Sequence, residues 1–220
     1  MLGLIIGRAA NTSLRQAMHE RVCGPLRMVD TDFWIEPEMR DRAATIYNAG
    51  QAPGSFTPAH LAAFTGVAPP AFVSGGQGLV STADDYLTFA RMLLGKGEVN
   101  GARLLRPETV ELMTANKLTD AQRAIPFMGL PFWAGQGFGL GLSMITDASR
   151  HAWMGAGSDG AIGWPGAFGG WWQADPARDL AMVWLVAATP PAPTPNAMPR
   201  MPGMMANIAF QHQAYAALTS

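Results

Sequence analysis

The 220 residues carry 15 basic and 16 acidic side chains, a net charge of −1, with 49% hydrophobic and only 14% charged residues. That balance excludes a nucleic-acid surface built from bulk positive charge, and a lone cysteine, Cys23, excludes an internal disulfide or a Cys-based zinc site. The length suits one domain with a sizeable core.

Met1–Gly7 is apolar, lacks the basic stretch and cleavage site of a signal peptide, and reads as the buried end of a helix. Ser13 and Gln16 have the spacing of a capping box, with Thr12 as a competing cap. Leu14, Met18 and Val22 then form a helical stripe, which Gly24-Pro25 is expected to stop. Residues 27–70 read as loop, with a strand candidate at Ala44–Ala49. After the glycine-rich run Phe72–Val80, Ser81-Thr82 caps a second helix. Asp84 and Asp85 sit in its first turn, where the helix dipole favours acids. Ala83, Tyr86, Leu87, Ala90, Leu93 and Leu94 form its buried face, and Gly95 closes it. Asn100-Gly101 marks a turn and Pro107 opens a third helix.

Strands follow at Phe138–Ile145, Ala167–Ala174 and Leu180–Ala188, the last two as a hairpin through Asp175–Asp179. The segment 189–202 is proline-rich and reads as extended. A last helix, Met204–Leu218, puts Met205, Ile208, His212 and Tyr215 on one stripe. The order predicts an α+β fold, an antiparallel sheet flanked by helices. It falls into one domain: a helical start (1–26), a loop-rich part (27–70), a helical part (71–120), the sheet (136–189) and a C-terminal helix (203–219). The longest uncharged stretch, Ala124–Thr146, is too broken by Pro126, Pro131 and five glycines to span a membrane.

A lysine-activated serine nucleophile needs S-x-x-K on one helical turn. No serine has it, and the only lysines are Lys96 and Lys117. Thr114-Ala-Asn-Lys117 has T-x-x-K spacing of a kind that ordinary helix surfaces produce. There is no G-x-S-x-G elbow, and His19, His60, His151 and His212 are scattered. No spacing suggests a metal site, so neither a metal nor a cofactor is expected. The unusual run is Gly163-Trp-Pro-Gly-Ala-Phe-Gly-Gly-Trp-Trp172, where small residues alternate with large aromatics. Two readings stay open: an edge strand whose tryptophans fill the core, or a strand edge that lines a cleft and lends backbone N–H groups to a ligand.

Three blocks carry a resemblance. The first is Ser13–Thr31, a helix followed by Pro25-Leu-Arg-Met-Val-Asp-Thr31. The second is Gly75-Gly-Gln-Gly-Leu-Val-Ser-Thr-Ala-Asp-Asp85 with its helix, continuing into Leu104–Met113. The third is Gly137-Phe-Gly-Leu-Gly141 with Gly163–Asp175. Together they resemble the class C β-lactamase-related serine hydrolases, which include penicillin-binding DD-peptidases and family VIII esterases. The resemblance implies the C-terminal part of that family's fold. The family's S-x-x-K and Y-x-N motifs, expected toward the N-terminus, have no counterpart here, and Tyr47-Asn48 and Tyr86-Leu87 do not restore them.

The family's third motif would fall on Trp164-Pro165-Gly166, and the next residue, Ala167, would give one backbone N–H of the oxyanion hole. Trp164, Pro165, Gly166 and Ala167 are therefore expected to line one groove. With Trp and Pro at 164 and 165 the site is apolar, which favours neutral esters over penicillins, within a substrate class of small esters, amides or lactams. The implied chemistry is hydrolysis through a serine acyl-enzyme, with this chain inactive alone. The chain is then expected to be the C-terminal portion of such an enzyme; the other readings are a non-catalytic binding remnant, or a half-site that a separate N-terminal segment completes. Nucleic acid and a membrane span are not expected, and the compartment, cytoplasmic or periplasmic, stays open.

Overall fold

The computed structural model describes residues 1–52, 54–59, 69–127, 129–189 and 203–218. Helix α1 (Leu2–Ala10) ends where Asn11 turns left-handed, with φ 50°. Ser13 then caps α2 (Leu14–Met18), its hydroxyl accepting the Gln16 N–H. The Gln16 side chain does not complete the expected box; it accepts from the Thr12 hydroxyl and donates to Glu20. Gly24-Pro25 does not stop this helix. A π-helical turn at His19–Cys23 absorbs the proline's missing donor, and the chain runs on through α3 (Gly24–Leu26) until Arg27 goes left-handed at φ 55°.

The loop that follows carries a 3-10 turn at Pro37–Arg42 and the strands β1 (Tyr47–Ala49) and β2 (Phe56–Pro58). Helix α4 (Ala83–Leu94) is capped by Thr82, whose hydroxyl accepts the Asp85 N–H. Asp85 itself is buried and accepts from the Asp30 N–H and the Thr31 hydroxyl, both at 2.8 Å. The helix thereby ties down the loop that begins at Met28. Gly95 is not its left-handed cap; Lys96 and Gly97 take the positive φ values instead. A small hairpin, β3 (Glu98–Val99) and β4 (Ala102–Arg103), leads to α5 (Pro107–Thr114) and α6 (Asp120–Arg123).

The central sheet is antiparallel with five strands in sequence order. They are β5 (Gln136–Phe138), β6 (Ser143–Ile145), β7 (Ile162–Pro165), β8 (Trp171–Asp175) and β9 (Leu180–Trp184), with the short α7 (Ala148–His151) between β6 and β7. The expected strand Phe138–Ile145 is instead a hairpin. Its bend is seated where the Leu140 N–H donates to the Met113 carbonyl, and Gly141 holds φ 89°. The expected strand Ala167–Ala174 begins only at Trp171, because residues 166–170 form a turn. The expected strand Leu180–Ala188 stops at Trp184. Its far end, β10 (Ala188–Thr189), crosses to pair in parallel with β1 in a second sheet ordered β10-β1-β2.

The main core lies between α4 and the sheet, with Ala90, Met92 and Leu93 packed with Met144, Ile162, Trp172 and Ala174. The last helix, α8 (Met204–Ala217), docks differently from expectation. Met205 and His212 face solvent, while Asn207 and Gln211 are buried. Among the described residues no helix is long and apolar enough to cross a membrane. The expected extended stretch at 190–202 and His60 lie outside the described residues.

Candidate active site

Strand β7 pairs with β8 along its whole length, from Ile162↔Ala174 to Pro165↔Trp171. On its other side it pairs with β6 only through Ile162 and Gly163. The β6-side edge is therefore open from Trp164 onward. Gly163 is needed here because a Cβ would run into the Trp172 carbonyl oxygen.

Past Pro165 the chain leaves the sheet in a glycine-built turn. The Gly166 N–H donates to the Gly170 carbonyl at 2.7 Å and the Gly169 N–H to the Gly166 carbonyl at 3.0 Å. The Ala167 N–H takes no part in those bonds or in the sheet ladder. Gly166, Ala167, Phe168 and Gly170 form one wall of a cavity of about 710 Å³. The same cavity is lined by Met18, Val22 and Cys23 of the first helical stretch, Met28, Ile35 and Met39 of the following loop, and Tyr86 and Phe89 of α4. Burial pushes the Cys23 thiol and the Tyr86 phenol above their ordinary pKa ranges.

The four residues expected to line one groove are thus divided. Gly166 and Ala167 reach the cavity wall; Trp164 and Pro165 do not. The pleat ends at Pro165 and the turn carries the next residues away from it. The half-buried Trp164 ring packs on an aromatic cluster beside the open edge, 5.8 Å from Phe132 and 5.1 Å from Phe138 between ring centres. Trp133 extends it, edge-on to Phe132 at 4.9 Å. Sequence reading did not single out Phe132, Trp133 or Phe138 as neighbours of the site; the aromatic density of Phe127–Phe138 was the available signal.

None of the hydrogen bonds among the described residues joins a serine hydroxyl to a lysine or histidine side chain. Ser13 caps α2, Ser81 bonds Thr31, Ser143 donates to the Gly163 carbonyl and Ser149 to Asp147. His151 is buried with neither ring nitrogen hydrogen-bonded, and desolvation lowers its pKa to about 4.

A family profile described as Beta-lactamase matches residues 1–200. The chain belongs to the beta-lactamase family. An uncharacterised Mycobacterium tuberculosis protein is 46% identical over 195 residues, 86% of this chain and 47% of that protein. Monacolin J acid methylbutanoyltransferase of Aspergillus terreus is 28% identical over 196 residues, 82% of this chain and 45% of the enzyme. Among solved structures, EstCE1, a hydrolase with promiscuous acyltransferase activity, superposes with TM-score 0.69 at 25% identity, over 86% of this chain and 49% of its own. Simvastatin synthase (LovD) from Aspergillus terreus gives TM-score 0.76 at 23% identity, over 98% of this chain and 53% of its own, a likeness of fold. The chain spans about half the length of the curated relatives it matches. The α+β, beta-lactamase-like fold is thus common to this chain and its family, as the sequence resemblance implied.

Proposed function

We propose that this beta-lactamase family chain is the C-terminal half-site of a serine acyl-transferring enzyme acting on small neutral esters. A complementing N-terminal segment supplies the nucleophilic serine and its lysine. The serine Oγ attacks the ester carbonyl, its proton passes to the base, and the alcohol leaves as the acyl-enzyme forms. Water, or a second alcohol, then takes the acyl group and restores the serine.

This chain's contribution is electrostatic and steric. Charge develops on the carbonyl oxygen during attack, and the Ala167 N–H is one of two donors that meet it. Such a donor, held in place beforehand, is worth ~2.7–4 kcal/mol to the transition state. Gly166 keeps the backbone accessible, and Trp164 gives the acyl or alcohol group an apolar wall at the open edge. Pro165 offers neither a hydroxyl nor an N–H to a substrate carboxylate, which disfavours lactams. The single supporting observation is the Ala167 N–H, outside both the turn's hydrogen bonds and the sheet ladder, on the wall of the cavity. The names of the hydrolase and acyltransferase relatives support the reaction class.

The test is complementation. This chain is co-expressed with the part of the M. tuberculosis relative that lies upstream of their shared region. A chromogenic short-chain ester should turn over and a chromogenic cephalosporin should not. A complex that hydrolyses neither overturns the reading.

A further inference from the structure

We infer that the hairpin tip formed by Ile125–Phe127 and Gly129–Pro131 docks the protein on an anionic phospholipid surface. Residues 124–146 hold no Asp, Glu, Lys or Arg. Within them Ile125 is 63% and Phe127 42% exposed, and Pro126 and Pro131 are exposed beside them. An apolar tip that dips into a bilayer must pair its own backbone groups, because hydrocarbon offers no partners. This tip does so. The Phe127 N–H donates to the Leu130 carbonyl and the Leu130 N–H to the Phe127 carbonyl, both at 3.0 Å, while Gly129 holds φ 77° in the turn between them. The Ile125 N–H donates back to the Gln122 carbonyl at 3.1 Å. The flanking prolines bring no N–H to be desolvated.

The tip is propped from beneath. Phe127 rests on Phe132 and Trp133, with ring centres 5.3 and 6.2 Å away, and Phe132 is buried. A half-buried indole at the foot of an apolar tip suits the boundary between headgroups and acyl chains, where tryptophan is enriched. Charge supplies the choice of lipid. The Lys117 N–H donates to the Phe138 carbonyl at 2.8 Å, and the Phe138 ring lies 6.0 Å from Trp133, so this exposed lysine stands beside the rings. Arg123 pairs with Asp120, whereas Lys117 joins none of the ion pairs among the described residues. One unbalanced cation at the foot of the tip fits an anionic headgroup. A stable protein partner needs roughly 800 Å² on each side. A narrow turn with two exposed large side chains falls short of that, while a bilayer accepts it. The rings continue through Phe138 to Trp164. On the half-site reading above, which the docking itself does not need, the open edge of β7 then meets apolar esters dissolved in the lipid.

The experiment uses the full 220-residue chain. The probes are vesicles of phosphatidylcholine mixed with phosphatidylglycerol, and of phosphatidylcholine alone, with the bound fraction read by flotation. The mixed vesicles should carry the protein. Ile125→Asp and Phe127→Asp should each weaken that binding at least about tenfold, because a carboxylate at the tip has to enter hydrocarbon. Met205→Asp, at a 77% exposed position on α8, should not. Lys117→Glu should weaken binding to the mixed vesicles by about fivefold or more and leave binding to phosphatidylcholine unchanged. Circular dichroism verifies that each variant is folded, and gel filtration follows self-association. No binding of the wild type to mixed vesicles, wild-type affinity in both tip variants, or an equal loss in Met205→Asp overturns the docking. So does self-association that both tip variants abolish without any vesicle binding, which assigns the tip to a second copy of the chain. Unchanged binding by Lys117→Glu overturns the anionic preference. Ester hydrolysis is measured separately. Vesicle binding with an inactive complemented complex keeps the docking and removes the half-site reading. Ester turnover without vesicle binding does the reverse.

Discussion

The Tyr215 hydroxyl donates a 2.5 Å hydrogen bond to Asp175, joining the C-terminal helix α8 to the end of β8. Asp175 is fully buried and also accepts the N–H groups of Ser158 at 3.0 Å and Ala177 at 2.9 Å. Burial, and then the bond to the Asp175 carboxylate, push the Tyr215 phenol well above its ordinary range. Gln173 donates to the same hydroxyl at 2.8 Å, and the Gln211 side chain accepts the Ala156 N–H at 3.1 Å. Directional polar contacts therefore fix the register of this helix on the sheet.

Tyr215→Phe keeps the ring and removes the donor. It should cost about 1–3 kcal/mol, because a buried carboxylate loses a partner. Urea unfolding measures this, and an unchanged midpoint would show that the bond contributes nothing net.

Asp85→Ala should cost on the order of 3 kcal/mol, since the Asp30 N–H and the Thr31 hydroxyl both lose their acceptor. Asp85→Asn, which keeps one acceptor oxygen, should recover part of the loss. Thermal unfolding ranks the three proteins. Equal midpoints for the Ala and Asn variants would contradict the assignment of Asp85 as the anchor of this loop.

Two nearby glycines should separate fold from function. A Cβ on Gly163 collides with the Trp172 backbone inside the sheet, so Gly163→Ala should cost more than about 2 kcal/mol. A Cβ on Gly166 meets nothing nearer than Gly170 at 3.6 Å. Gly166→Val should fold nearly as well as wild type yet abolish ester turnover in the complemented enzyme, where its branched side chain intrudes on the substrate carbonyl. Full turnover by Gly166→Val would instead make this turn purely structural.

His151 predicts a pH dependence. Burial lowers its pKa from 6.5 to about 4, so the folded state holds it neutral. Between those values the unfolded chain binds the proton more readily. Stability from this group is complete above about pH 6.5 and is lost as pH falls toward 4, by on the order of 3 kcal/mol in all. His151→Leu should flatten that slope. Denaturant titrations at pH 7 and pH 4.5 test it, and an equally steep loss in the variant would place the sensitivity elsewhere.

The order of elements was legible because helix caps and apolar spacing are local: Thr82, Pro107 and the continuous apolar run 180–184 mark real boundaries. What was not legible depends on distant contacts. The Leu140 N–H finds the Met113 carbonyl and turns the chain, so one expected strand became two. Helix α8 buries Asn207 and Gln211 because their partners lie along its own turn and at Ala156, which no stripe of apolar residues discloses. For the candidate site, the Trp164–Ala167 run stood out by composition. The separation of Trp164 from Ala167 depends on a turn that begins only at Gly166.

The central claim is that this chain lends a backbone donor and no nucleophile. Fluorophosphonate labelling with the modified residue mapped by mass spectrometry tests it most directly, on the 220-residue chain alone and in the complemented complex. The chain alone should remain unlabelled, and the complex should carry one adduct, on a serine of the upstream segment. A stoichiometric adduct on any serine of this chain would contradict the account.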